Sequence, residues 1–508
     1  MDGFIKNLEI GEIHPRDRWQ FELKSEYFPL LKKNVYTQEF YLFIPNSLQI
    51  NEDTYSKAQF YKDQTNLIRY KTPEFELKEL YDKSNPKSPL MRLSVILHAK
   101  PKKKTKAQIE DELKLLGNII RSSLRERVRV LFEKMEYDET LKEETLYEEV
   151  KLLCEQLTEL RTCYREMQKE FLETWKTGEM KSHFYYIDEF ISSTIDYYLS
   201  GLLDRLRSAN LSDMEPFNKA LYEVLAEEKH HREKLLKEPP IAEEDSESSE
   251  FVLYRSGLLN KFVLDALLLN TTRSSLIKRF RNVVGSISAG IAMLFFFVLF
   301  IWQGQVFFIN SLPFILITVF LYIIKDRMKE GLKTISYRKF TKWFSDYKTE
   351  IRSPKEERTL GQMKESFSFV DEEELPKEIM RIRNREFHAV LETFKRPERV
   401  IYYKKTITMY KQKRSRDTRR NALNIISRFN INEFVRNADN PKHSYITVDP
   451  QTFQLLRVRL PKVYHLNIIM KNTYTQQDMT IKEELKKFRL VLDKNGIKRV
   501  EHVHHLDH

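Results

Sequence analysis

Glycine is scarce, at twelve in 508 residues. A loop that cradles phosphate needs clustered glycines, so that backbone N–H groups can approach the ligand. The one stretch with G-x4-G spacing, Gly285–Gly290, is followed by Ile291 and Ala292 rather than Lys and Ser or Thr. That argues against a nucleotide-hydrolysing P-loop and a dinucleotide-binding fold. Cysteine is rarer still, at Cys154 and Cys163 alone. Nine residues of helix turn through ~900°, which places the two on opposite faces, and a cytosolic chain keeps them reduced. They read as packing residues. No Gly-x-Ser-x-Gly, His-Glu-x-x-His or Cys-x-x-Cys occurs, so the common hydrolase, zincin and redox patterns have no support, and no cofactor is expected. Met1–Lys6 holds no apolar core, so a cleaved signal peptide is not expected either.

The most informative absence is of charge. Charged residues make up 31% of the chain, yet the 43 residues from Asn282 to Ile324 include no Asp, Glu, Lys, Arg or His. A core helix does not need so long an uncharged run; a bilayer does. The run divides into 283–302 and 306–324 around Gln303-Gly304-Gln305. Twenty helical residues at ~1.5 Å each cover ~30 Å, the thickness of the hydrocarbon layer. Two such segments joined by so short a turn run antiparallel, as a two-helix transmembrane hairpin over 282–324. Arg273, Lys278, Arg279 and Arg281 precede it, Lys325, Arg327, Lys329 and Lys333 follow it, and the turn is uncharged. Lys and Arg gather on the cytosolic side of a membrane. Both flanks, both termini and all large domains are therefore expected in the cytosol, with Trp302 at the far interface.

The formal charge of +12 fits a chain beside anionic lipid, where each Lys or Arg gains ~1 kcal/mol. Nucleic acid is the competing explanation of a basic chain. Residues 1–100 read as a mixed, strand-containing region, with strands at Glu39–Pro45 and Met91–His98. Residues 101–237 read as a helical bundle or coiled coil: Leu146, Val150, Leu153, Leu157, Leu160, Tyr164, Met167 and Phe171 alternate steps of four and three, the spacing of a heptad seam. That seam either pairs with a second chain or packs within the bundle. An acidic, Pro-containing linker follows at 238–250. Residues 251–281 hold an apolar helix lying on the membrane surface or the bundle, and 325–352 a basic juxtamembrane helix. A polar linker at 353–379 leads to an α+β domain at 380–508, with helices expected at 418–436 and 481–487. Its last two strands flank Lys494-Asn495-Gly496, a hairpin turn in which Gly supplies the positive φ.

Four constellations could carry chemistry. His502 and His504 would share one face of a strand, a metal-ligand geometry, with His465 or Asp449 as possible further ligands; a frayed, solvated chain end is the competing reading. Glu227–His231 contains Glu-x-x-His twice, the spacing of di-iron carboxylate bundles, but no matching motif lies on the other helices, and flanking Lys229, Arg232 and Lys234 suggest a solvated face. Lys411, Lys413, Arg414, Arg416, Arg419 and Arg420 form a basic loop for anionic lipid or nucleic acid; without an aromatic-rich signature nucleic acid is disfavoured. Gly285 and Ala289, like Ser286 and Gly290, are four apart on the first span, and small residues at that spacing let helix backbones approach closely. The partner would be the second span or a second copy, giving a weak homodimer. The expected protein is thus an integral membrane protein, a non-enzymatic cytosolic scaffold or tether acting through protein contacts. An oligomeric pore or transport component, or a membrane-bound enzyme without a recognisable motif, is the alternative.

Overall fold

The computed structural model describes residues 10–98, 103–137, 142–174, 178–209, 211–236, 246–308, 311–341, 345–354, 358–384, 398–411, 419–476 and 478–503. The chain has a helical part and a large antiparallel sheet domain, divided into two compact units. One comprises Met1–Arg69 with Leu269–His508, the other Tyr70–Leu268. The chain opens with strands β1 (Ile10–Pro15), β2 (Gln20–Tyr27) and β3 (Lys33–Pro45), a short helix α1 (Lys57–Asp63) and β4 (Gln64–Tyr70). Ser56 caps α1 by accepting from the Gln59 N–H, the usual remedy for an orphan amide at a helix start.

The helical unit follows. It begins with α2 (Pro89–Leu97), where a strand is expected over 91–98. The proline sits in the first helical turn, and Leu90, Leu93 and Leu97, spaced by three and four, are buried while Val95 is bare. A 3.6-residue period on one face therefore overrides the apparent alternation. Four long helices come next: α3 (Lys103–Tyr137), α4 (Glu143–Thr174), α5 (Gly178–Ser208) and α6 (Glu215–Leu236). Helix α5 is central and touches α3, α4, α6 and also α7 (Ser246–Leu264). The heptad seam of α4 lies inside this unit: Leu146, Val150, Leu153, Leu157, Leu160, Tyr164 and Phe171 are all buried. Each such side chain contributes roughly 1.5–3 kcal/mol, so these seven seam positions pack within the unit, while Met167 is half-buried. Helix α7 packs one face on the bundle, where Asn118 Nδ2 donates to the Val263 carbonyl and Leu259, Val263 and Leu267 are buried. It ends at Leu264, so that part of the helix expected over 251–281 is instead the strand Asn270–Ser275. Its first turn takes in Ser246–Glu250 of the expected acidic linker, an acidic sequence of the kind that suits a helix N-terminus; residues 237–245 lie outside the described residues.

The chain then returns to the sheet unit with β5 (Asn270–Ser275), the helices α8 (Leu276–Val306) and α9 (Leu312–Thr341), β6 (Tyr347–Arg352), β7 (Thr359–Val370) and α10 (Lys377–Asn384). It ends with β8 (Glu398–Tyr410), β9 (Leu423–Asn430), a single turn α11 (Asn432–Val435), β10 (Lys442–Val448), β11 (Leu455–Pro461), β12 (Tyr464–Thr475), β13 (Ile481–Asp493) and β14 (Gly496–Val503). Eight strands form one antiparallel sheet in the order β14-β13-β12-β3-β8-β7-β6-β5, and β1-β2-β9-β4 form a second. One face of the large sheet packs on the small one through Phe40, Leu42, Ile468 and Met470 against Phe21, Leu23 and Phe429. The other face carries α10, whose Ile379 and Ile382 meet Tyr41, Phe43 and Ile469. Lys487, fully buried, donates to the Ile382 and Arg383 carbonyls at the end of that helix, where a cation suits the dipole.

Three expected elements differ here. The polar stretch 353–379 contains β7, an inner strand whose inward positions Gly361, Met363, Glu365 and Phe367 include a glycine and an acid. The helix expected over 418–436 is mostly β9, where Leu423, Ile425, Ser427 and Phe429 alternate inward against β2. The helix expected over 481–487 is the first half of β13, paired along its length with β12 and meeting β14 only from Lys487 onward, with Lys471–Glu483 bridging strands at 2.8 Å. Pairing with distant strands outweighs the local helical preference of Glu-Glu-Leu-Lys-Lys. The 325–352 helix is also shorter than expected, since Tyr347–Arg352 is strand.

Gly496 has φ +109°, and a Cβ there would lie 2.1 Å from the Arg18 carbonyl oxygen, which accepts from the Ile497 N–H. Gly496→Ala is expected to destabilise the sheet unit by more than about 1 kcal/mol and lower its melting temperature by several degrees. Gly257→Ala on helix α7, which meets open space, should be neutral or stabilising by a few tenths to about 1 kcal/mol. Thermal unfolding of both variants in detergent checks the contrast.

Candidate functional site

Among the described residues one helix is long and apolar enough to cross a membrane: α8, over Asn282–Val306. It packs against α9, but the turn is not at Gln303-Gly304-Gln305. Those residues complete α8, and the chain reverses after Val306 and re-enters helix at Leu312. The reason is the Gln303 side chain. It is 1% exposed, and its Nε2 donates to the Phe314 carbonyl at 2.6 Å and to Thr318 Oγ1 at 3.1 Å, so the amide is sealed between the helices. Pro313 in the first turn of α9 sacrifices no helical hydrogen bond. The second apolar segment therefore starts at Leu312, not at residue 306, and is uncharged for only thirteen residues, to Ile324. Lys325 Nζ then lies 3.8 Å from the Tyr322 ring centre and 5.8 Å from that of Phe296.

The buried line of α8 is Val284, Ser288 and Ala292, continuing to Gln303. The small residues singled out by spacing, Gly285, Ser286, Ala289 and Gly290, lie off that line; among the described residues a Cβ added at Gly285 or Gly290 meets nothing within 4 Å. Close approach within the pair thus uses Ser288 and Ala292.

The root of the hairpin is a charged and aromatic cluster on the edge of the sheet. Asp346, 1% exposed, sits just before β6. Its carboxylate accepts from Lys57 Nζ at 2.7 Å, Tyr61 OH at 2.8 Å and the Phe367 N–H at 2.7 Å. Its backbone carbonyl accepts from the Leu276 N–H, the first residue of α8, and its N–H donates to the Glu365 carbonyl. One residue therefore ties both ends of the inserted helices to β7 and α1. Beside it, Arg273 pairs with Glu365 at 3.2 Å, and its guanidinium lies 4.1 Å from the Tyr347 ring centre and 5.0 Å from that of Tyr61. Burial, and then the charge of Asp346, push the Tyr61 phenol far above its ordinary range.

From this root a polar row crosses the sheet in register: Ser275, Tyr347, Glu365, Lys405, Gln38, Asn472 and Glu484 are successive cross-strand partners. Glu365, Lys405, Gln38 and Asn472 are all 1% exposed or less. The small sheet answers Glu365, Lys405 and Gln38, whereas the Asn472 amide has no hydrogen-bond partner among the described residues. Lys405 Nζ donates to Ser427 Oγ, Ser427 to Asn66, and Asn66 Nδ2 to Glu365, which also accepts from Tyr403 OH at 2.7 Å. Tyr27 OH donates to Gln38 Oε1, and Gln38 Nε2 to Ser25. Burial lowers the Lys405 ammonium from 10.5 to about 8 against the opposing pull of Glu365.

The helical unit holds its own charge cluster, at the Glu-x-x-His stretch. Glu228 is fully buried and accepts from Arg161 and Arg165 of α4, both at 2.8 Å; Asp188 of α5 meets Arg165 at 3.2 Å and His231 at 2.9 Å. The expected solvated face is therefore half wrong: Glu228 and Arg232 point inward, because α4 supplies two guanidiniums to Glu228 and α5 supplies Ser192 and Asp196 to Arg232. Burial works against the Glu228 charge, but Arg165 and Arg161 outweigh it and hold the carboxyl below its ordinary range. No group of three or more His, Cys, Asp or Glu among the described residues could hold a metal. His502 stands edge-on to Phe488 on β14, and His504 lies outside the described residues. Of the basic loop, Lys411 donates to the Leu30 carbonyl; Arg419 and Arg420 are described, while Lys413, Arg414 and Arg416 lie outside the described residues. Cys154 is buried, its thiol pushed up to about 12 by burial, and Cys163 is half-buried. Contrary to the expectation of separate surroundings on opposite faces, both border one open groove of about 900 Å³ between α4 and α6, wide enough to take in half the circumference of α4.

Asp346, Glu365 and Lys405 escape motif reading because they lie in three different segments, each among other charged residues; only strand register brings them together. Asp346→Ala leaves Lys57, Tyr61 and the Phe367 N–H without their acceptor and should destabilise the sheet unit by about 2–4 kcal/mol, with Asp346→Asn intermediate, in denaturant unfolding. For Lys405, the folded chain releases the proton near pH 8 and the unfolded chain near 10.5. Its destabilising effect is then complete below pH 8 and fades as pH rises towards 10. Lys405→Met should abolish the gain in stability that the parent shows between about pH 8 and 10; an unchanged pH dependence would remove the assignment.

The chain matches no protein-family model, and comparison with curated proteins and with solved structures gives no match either.

Proposed function

We propose that this chain is a non-enzymatic, membrane-anchored tether whose two folded units face the cytosol. The observation that carries the reading is the bare apolar surface of α8: Leu294, Ile301 and Trp302 are each more than 60% exposed. In water such a surface is an aggregation hazard, whereas a bilayer solvates it. The basic flanks argue that both ends of the hairpin return to one side. Helix α9 offers about 20 Å of uncharged length against about 30 Å of hydrocarbon, so Lys325 and Arg327 snorkel towards headgroups along their apolar stems. The hairpin's small-residue face remains open to a second copy. For a protein partner, the helical unit offers Phe251, Tyr254 and Leu258, exposed at helical spacing on α7. The buried charges around Asp346 and Glu228 support a scaffold, since they are engaged in joining elements to one another.

The full chain should remain with membranes through high-salt and alkaline washes, and deletion of residues 282–324 should release it. Tags at the two ends should show the same cytosolic accessibility. Release of the intact chain by the alkaline wash would reject the anchor, and opposite accessibilities would reject the hairpin.

A further inference from the structure

Strands β10 and β11 stand apart from both large sheets as a two-stranded ribbon. Every residue of β11, and all of β10 but Thr447, is exposed. Its outer end is apolar: Phe453 is 83% exposed, Leu455 73% and Val448 50%. The tip is nonetheless built. Asp449 accepts from the Gln451 N–H through its carboxylate and from the Phe453 N–H through its carbonyl, and its own N–H donates to the Gln454 carbonyl. This holds Phe453 at φ +55°, a left-handed conformation that a bulky residue adopts only where its surroundings impose it. Towards the base lie Arg457, Arg459, Lys442 and Lys462, and Asp449 is the one acid from 442 to 462. The base is fastened by Asp439, which Lys462 and Tyr464 both reach.

We infer that the ribbon dips into an anionic lipid surface as a second, interfacial contact beside the hairpin. An apolar tip with cations behind it matches the acyl boundary and the headgroup layer in order. Strand register supports the same surface. Val370 of β7, Val400 of β8, Phe43 of β3 and the start of β12 lie at one end of the large sheet, the chain of β5 heads towards that same end as it passes into α8, and the ribbon hands directly to β12. The inference rests on the anchor reading, so its test reports on each separately.

The full chain, with Cys154→Ala and Cys163→Ser, is placed in phosphatidylcholine–phosphatidylserine nanodiscs carrying a spin-labelled lipid. A nitrobenzoxadiazole dye is attached singly at Phe453→Cys, at Trp302→Cys within α8, or at Lys33→Cys, an exposed site at the opposite end of the sheet. The expected result is strong quenching at 302 and 453, several-fold above that at 33. Arg457→Glu with Arg459→Glu should reduce quenching at 453 alone, as should discs of phosphatidylcholine only. Quenching at 302 without 453 overturns the ribbon and leaves the anchor standing; quenching at neither overturns both. Disulfide dimers of the undyed Phe453→Cys variant, without lipid quenching at 453, overturn the lipid assignment and give the ribbon to a second copy of the chain.

Discussion

Asp346 is the constraint on which the sheet unit depends. The chain leaves the edge of the sheet at Leu276, runs through α8 and α9, and returns at Tyr347. An insertion of that length would leave its two ends as an open loop unless something closed it. The closure is local: the backbone of Asp346 holds Leu276 and Glu365, and its carboxylate holds α1 and β7. A buried carboxylate is tolerable only where enough donors replace its hydration, and here three converge. Arg273 completes the arrangement with a charge paired to Glu365 and faces stacked on two tyrosines, which suits a guanidinium better than an ammonium. Leu276 and Asp346 are thereby both fixed at the edge of the sheet.

The same logic extends inward. A polar row through the middle of a two-sheet packing would be strongly destabilising if left unpaired. Here the small sheet supplies a partner to Lys405, Glu365 and Gln38, and two apolar layers flank the row. Such a row also fixes register: a one-residue slip of β7 or β8 would turn Glu365 or Lys405 away from Asn66 and Ser427 and bring apolar side chains to their place. Buried polar groups of this kind specify a pairing more than they stabilise it. The helical unit repeats the device at Glu228, where α4 and α6 are matched through two arginines instead of through shape alone.

These features also mark how far the residues speak for themselves. Periodicity identifies α3 to α6, β8 and β12, because each buries a continuous face whose spacing is local information. The uncharged run announces α8. What escapes is whatever depends on distant partners. The inward side of β7 carries Gly361 and Glu365, so it reads as linker until β8 and β6 are in place. Residues 481–487 read as helix until β12 binds one edge of them. Polarity puts the hairpin turn at Gln303-Gly304-Gln305, yet Gln303 finds its partners on the facing helix and stays helical. Of the features singled out for function, the hairpin is visible in composition, whereas Asp346, Arg273 and Lys405 become a cluster only through strand order.

Strand order has a consequence for how the chain assembles. Strand β3 lies at the centre of the large sheet, between β8 and β12, so Tyr41 pairs with Tyr402 and with Ile469. Contacts separated by more than about three hundred residues form slowly, since loop closure must precede any gain from pairing. The helical unit, by contrast, is built from neighbours in sequence and is complete before the C-terminal strands exist. During synthesis α8 and α9 emerge after that unit and before β8. They are therefore made while β2, β3 and β4 still lack β8, β9 and β12, the later strands with which they pair. Synthesis of the two helices precedes completion of the sheet, and the clamp at Asp346 is what joins them into one structure.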